Sequence, residues 1–381
     1  MLQLTAVAGS VVLHAQASYS SRRRVLNINL GWLDVVQLIG LNITGGAEPN
    51  YGGSCYGDTQ CGGGGVRITG GTVTFSSCTI TGNTADQGGG GVFVQSGTVT
   101  ITSSSITGNT ADQGGGGVYV SHGTVTITSS SINGNTCWTS GLGGCGGGVY
   151  LSYGIVTITS SSINGNTADS GYRQGGGVYV VGGTVAISSC TISGNTAYNS
   201  GCGGGVYVDY YARVTITSCT ISGNTADYGW GGGVFVQYGT VAISWCNISG
   251  NTAESGGGVF VDYGGGVTIT SSSITGNTAG MGWDGWAQSG GGVRVRDGTV
   301  AISSSTISGN TAATYGPNVY VYGYSITTSV CYWAMTLTDV YDELGYITTC
   351  PAPPPPRPPS PPSPPSPPLS LIHISEPTRP Y

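Results

Sequence analysis

The chain has 381 residues, of which 71 are Gly, 11 are Cys and only 7% are charged, with a formal net charge of −6. Its ten basic residues are all Arg and the sole basic run is Arg22-Arg23-Arg24, which excludes the clustered positive surface that a nucleic-acid ligand requires. No stretch is long and apolar enough for a membrane-spanning helix, and abundant Gly among β-branched residues removes helix as the main element.

Residues 1–59 read as irregular first coils of a repeat structure, with Val11 to Leu13, Val25 to Ile28, Val36 to Leu38 and Leu41 to Ile43 as short strands. The alternative is a secretory leader ending at Ala15-Gln16-Ala17, but a charged n-region is missing and Gly9-Ser10 interrupts the apolar run. The coil reading implies an N-terminal truncation.

From 60 to 325 one unit recurs. Asn83, Asn109, Asn135, Asn166, Asn195, Asn224, Asn251, Asn277 and Asn310 sit in one motif, Ile-x-Gly-Asn-Thr in most copies, at steps of 26 to 33 residues. Self-similarity at that period marks a solenoid. In the type unit Gly89 to Ala111, Val92 and Val94, Val99 and Ile101, and Ser104 and Ile106 alternate with Phe93, Thr98, Thr100 and Thr102. Alternation of this kind gives three short strands per coil, each with one apolar side. A single coil cannot bury those strips, whereas coils stacked at about 4.8 Å can. The expected fold is all-β: a right-handed parallel β-helix of about ten coils, with the Asn amides forming a structural ladder at one corner.

The paired signatures Gly-Gly-Gly-Val (Gly115 to Val118) and Ile-x-Gly-Asn-Thr-Ala (Ile80 to Ala85) resemble the repeats of chlamydial polymorphic outer membrane proteins. They also resemble the wider class of pectate-lyase-like right-handed β-helix proteins. The resemblance covers roughly residues 60 to 325. Gly stands where the chlamydial repeat has Ala, Ile where it has Phe, and the 381 residues show no membrane-barrel pattern. It implies the solenoid, and a surface-exposed protein.

Several positions are candidates for recognition. Phe93, Tyr119, Tyr150, Tyr179, Tyr207, Phe235 and Phe260 occupy the outward position between the valines of the first strand in seven consecutive coils. Such a ladder can stack on sugar rings, or simply stabilise a parallel sheet. Arg67 and Arg294 are expected to cap its two ends. The long insertions fall at one corner and would project from one edge, carrying Trp138, Trp230, Trp283 and Trp286 among other aromatics. Asp86 with Asp112, and Asp227 with Glu254, are equivalents in successive coils; such carboxylates can bind Ca²⁺ or serve as acid and base. Arg296, in register with Asp262, implies a surface ion pair. Thr-x-Thr rows such as Thr98, Thr100 and Thr102 resemble the threonine arrays of ice-binding solenoids.

Eleven Cys suit an oxidising compartment. Cys55 with Cys61, Cys137 with Cys145, and Cys331 with Cys350 are close enough to close loops, whereas Cys190, Cys219 and Cys246 share one inward position that other coils fill with Ser. Residues 326–350 are expected to cap the solenoid, with a short helix over Thr336 to Leu344. Pro351 to Pro368 reads as a stiff polyproline II stalk resembling the proline-rich linkers of algal matrix glycoproteins. Residues 369–381 read as translated sequencing adapter and are set aside.

The expected function is a non-catalytic cell-surface or extracellular-matrix protein binding a glycan or a protein. A polysaccharide lyase or glycoside hydrolase is the enzymatic alternative, and ice binding through the threonine face is the other.

Overall fold

The computed structural model describes residues 2–6, 11–17, 21–31, 33–48, 61–139, 144–170, 174–280, 288–323, 329–333, 339–342, 345 and 347–349. Every regular element among them is a strand. The strands stack into parallel sheets of 13, 12, 11 and 9 members running the length of one right-handed solenoid of about ten turns. Pro351–Tyr381 forms a separate unit, outside the described residues, and the stalk and adapter readings fall there.

Each coil of the type Val92 to Ala111 places Val92–Val94 in the ring-bearing sheet, Thr98–Thr102 in the threonine sheet and Ser105–Thr107 in a third. Thr110–Ala111 adds a short fourth strand beyond the three expected, pairing with Thr84–Ala85 and with Thr136 and Cys137. Two residues are too few to show alternation, which is why the sequence pattern passes over it.

The inner faces close on one continuous core. Val92, Val94, Val99, Ile101, Ile106 and Ala111 are all fully buried, and their equivalents stack in exact columns because the pairing is in register. A slip of one residue would turn every one of these side chains to the other face, so the apolar pattern itself pins the register.

Two polar columns run through the interior. The Asn109 side chain donates from Nδ2 to Asn135 Oδ1 at 3.0 Å and to the Ile80 carbonyl at 2.9 Å, while its backbone N–H also reaches Asn135 Oδ1. The same pattern continues to Asn310, which closes on Asn318. Gly91 stands beside this column because a Cβ there would lie 3.0 Å from Asn109 Nδ2 and 2.8 Å from the Gly117 carbonyl oxygen. The second column consists of Cys78, Ser104, Ser130, Ser161, Cys190, Cys219, Cys246, Ser272 and Ser305. Each backbone N–H donates to the hydroxyl or thiol of the next coil, from Cys78 to Ser104 through to Ser272 to Ser305. The three central thiols are therefore acceptors in a backbone ladder, and each is free.

The ends use the same stacking. Leu2–Thr5 pairs with Val35–Ile39, which pairs with the regular strand Thr72–Ser76, and Val11–His14 pairs with Leu41–Thr44. At the other end the helix expected over Thr336 to Leu344 is overturned at its centre: Val340–Asp342 is a strand beside Val319–Val321. Val340-Tyr341 repeats the Val-aromatic step of Val319-Tyr320, so stacking on an open sheet edge outweighs local helix propensity. No helix among the described residues is long and apolar enough to cross a membrane.

Candidate functional site

The aromatic ladder forms as a physical stack. Centroid distances from Phe93 through Tyr119, Tyr150, Tyr179, Tyr207 and Phe235 to Phe260 are 5.0, 4.9, 5.2, 4.6, 5.0 and 5.4 Å. The rings point away from the central core, yet Tyr179, Tyr207, Phe235 and Phe260 are fully buried as a second apolar cluster. Cys202 and Trp230 of the insertion corner pack on this cluster, and glycines of the same corner approach the ladder closely. A Cβ on Gly144 would sit 2.4 Å from the Tyr179 ring, and one on Gly62 2.7 Å from Phe93. Tyr119 and Tyr150 are only half-buried.

Arg67 takes the expected place, its Cζ 6.0 Å from the Phe93 centroid. Arg294 does not end the ladder. It lies between Phe260 and Tyr320, 5.1 and 5.4 Å from their centroids, and Tyr341 continues the stack beyond. Burial lowers its pKa to about 10, with the neighbouring Arg296 charge acting in the same direction.

The insertion edge opens beside Trp230 into a cavity of about 690 Å³. Tyr207, Tyr228, Trp230, Phe235 and Tyr263 supply its rings, with Ser200, Gln237 and Glu254 as polar groups. The local chain explains how Trp230 arrives there. Pairing with the next coil runs in register through Ala226 opposite Ala253, then shifts so that Trp230 stands opposite Ser255. The extra residues form a bulge, a device that re-aims a side chain, and Tyr228 inside it takes a left-handed φ of 52°. Tyr207 donates its hydroxyl to Gln237, which orients the amide at the cavity.

Beside the cavity Arg296 forks onto Asp262 through Nε and Nη2 and lies over three rings, 4.5 Å from Trp230, 5.3 Å from Tyr263 and 5.7 Å from Phe260. The pair is not the surface ion pair expected from sequence, because Asp262 is 1% exposed. Burial raises the Asp262 pKa in spite of the Arg296 hydrogen bond. Cys202 also touches the cavity; desolvation pushes its thiol up to about 12, so it is held neutral.

The other candidates are placed differently. Trp138 is exposed at the strand that opens the Cys137–Cys145 disulfide loop. Cys61 and Cys331 are disulfide-bonded as well, and Cys55 and Cys350 lie outside the described residues, as do Trp283 and Trp286. Asp86 is held by Arg22 through both carboxylate oxygens. Nearby Glu48 accepts from the backbone N–H groups of Gly62, Asp86 and Gln87 at 2.7 to 2.8 Å, so this acidic cluster ties the first coils to the edge. Of the second carboxylate pair, Glu254 lines the cavity and Asp227 does not. Among the described residues no group of three or more His, Cys, Asp or Glu is arranged to hold a metal ion.

On the threonine sheet the rows Thr72, Thr98, Thr124 and Thr74, Thr100, Thr126, Thr157 stack in register. Further along, Ala242, Gly266 and Ala301 lower the surface into a shallow trough of about 500 Å³ with Arg213 on its lining.

Sequence reading alone passed over Tyr263 and Gln237 as cavity residues and Arg296 as a ring-stacking cation. The usable signal was the common coil position of Tyr207, Phe235 and Phe260 with the residues two and three places beyond each. No curated protein and no solved structure matches the chain. The family model for the right handed beta helix region matches residues 54–187 and 144–330, which together span most of the chain and the whole regular solenoid described above. The chain belongs to the right-handed β-helix family.

Proposed function

We propose that the chain is a non-catalytic glycan-binding solenoid of a cell surface or extracellular matrix, and that the cavity beside Trp230 is its ligand site. The observation that carries this reading is the convergence of Tyr228, Trp230 and Tyr263 with Glu254, Gln237 and Ser200 around one cavity of about 690 Å³. Ring faces stack on the apolar faces of sugars, and a carboxylate, an amide and hydroxyls are what hydroxyl groups need as partners. The buried stretch of the ladder serves as the rigid support of that site, since fixed rings lose little entropy on binding. The test is a glycan-array screen of the chain with mass spectrometry of bound oligosaccharide. Binding that Trp230→Ala and Glu254→Gln each weaken at least about tenfold, without cleaved product, is expected. Turnover would sink the non-catalytic reading and favour a hydrolase or lyase.

A second reading is favoured by the in-register threonine rows, whose rungs repeat at about 4.8 Å: this face would order water and bind ice. Thermal hysteresis lost on Thr100→Tyr would support it, and its absence from the unaltered chain would remove it.

A further inference from the structure

We propose that the corner between the ring-bearing and threonine strands is a docking rail for a proline-rich polypeptide in polyproline II conformation. The rail consists of Tyr153, Tyr210, Tyr238 and Tyr263, which are 54%, 38%, 41% and 42% exposed. They belong to one column of corners. The Tyr153 ring lies over Gly182 of the next coil, where a Cβ would come within 2.8 Å of it. Tyr210 follows one coil later, two places beyond Val208, whose register partner Val236 stands two places before Tyr238, and the Tyr238 and Tyr263 rings stand 5.5 Å apart.

The backbone gives an independent reason to look here. Tyr210, Tyr238 and Tyr263 have φ of 42°, 55° and 46°, the left-handed region that Gly and Asn enter far more readily than an aromatic residue. Burial compensates little, since each of these residues is more than a third exposed. Strain held at exposed side chains points to a role outside the fold.

The spacing selects the partner. Tyr153, Tyr210 and Tyr263 lie on alternate coils, hence about 9.6 Å apart. A polyproline II helix turns once in three residues, about 9.3 Å, so equivalent prolines would meet equivalent rings turn after turn. An α-helix repeats at about 5.4 Å and an extended strand at about 6.6 Å, and both fall out of step with the coils at once. Proline rings pack on aromatic faces, and the stiff helix has little entropy to lose. The chain itself carries the matching ligand chemistry, a Pro-Pro-Ser repeat of period three over Pro358 to Pro368, so a second copy can supply the occupant.

The experiment titrates a fluorescent peptide of four Pro-Pro-Ser repeats into the full chain carrying Pro361→Ser, Pro364→Ser and Pro367→Ser, which removes the internal competitor. Saturable binding is expected. Tyr153→Ser with Tyr210→Asn should weaken it at least about tenfold, as should one extra Gly in every peptide repeat, while Trp245→Ala, at the exposed corner after the strand Thr240–Ser244, leaves it unchanged. Neither altered Tyr lines the cavity beside Trp230, so failure here and failure of glycan binding are separate results. Absence of saturable binding, equal affinity for the lengthened peptide, or Tyr variants that lose oligosaccharide binding instead would each overturn the proposal.

Discussion

The Arg296 guanidinium lies 4.5 Å from the Trp230 ring centroid while it forks onto Asp262 of the preceding coil. One cation thus fixes both a buried carboxylate and the ring that lines the cavity. Removing it in Arg296→Ala leaves the Asp262 charge buried, and the expected loss is roughly 3 kcal/mol in urea unfolding. Arg296→Lys keeps the charge but not the fork or the stacking plane, so it should lose less stability and still weaken glycan binding.

The carboxyls of Asp262, Glu48 and Asp112 are all held above their ordinary values of 3.8 for Asp and 4.5 for Glu, chiefly by burial, with the Asp86 charge adding to the effect on Asp112. In the folded chain they bind protons more tightly than in the unfolded chain. Folding is then favoured below the unfolded pKa, and this contribution is lost as pH rises through the folded values. Thermal melting between about pH 4 and pH 7 should show a midpoint that falls as pH rises. Asp262→Asn should flatten part of that slope; a midpoint that climbs with pH would contradict the assignment.

Asn166 sits mid-ladder. Its Oδ1 accepts from the backbone N–H and Nδ2 of Asn135 at 3.0 Å each, and its own Nδ2 donates to the Ile132 carbonyl at 2.9 Å. Asn166→Ala strands several buried polar groups at once and should cost about 3 kcal/mol or more by denaturant unfolding. Asn310 is the last Asn before the ladder closes on Asn318, and Asn310→Ala should cost visibly less, since fraying of an end coil relieves it.

Tyr238 holds φ at 55° with an exposed ring. Tyr238→Asn should raise stability by about 1 kcal/mol, measurable as an increase in the unfolding midpoint. A drop would mean that the ring supports the coil.

Cys219 is buried, its thiol pKa is raised by the flanking Cys190 and Cys246, and it occupies a place that Ser fills in other coils. Cys219→Ser should change stability by less than about 1 kcal/mol, whereas Cys219→Ala removes the acceptor for the Cys190 N–H and should cost more. The native thiol should resist alkylation until the chain unfolds.

The period of the Asn-Thr corners and the alternation of Val and Ile were enough, without coordinates, to establish a parallel solenoid, its register and its polar ladder. Each coil repeats the same local problem, and stacking has one solution that buries every strip. Val92, Ile101, Ile106 and Asn109 were legible for that reason. The tertiary structure decided what lies over the coils. Tyr179 and Phe260 share the outward strand position of half-buried Tyr150, but whether a loop folds down on a ring depends on non-repeating insertions that follow no period. The Trp230 bulge, the Arg296 stack and the left-handed tyrosines arise from those insertions and corners, where backbone geometry, not apolar pattern, sets the direction of a side chain.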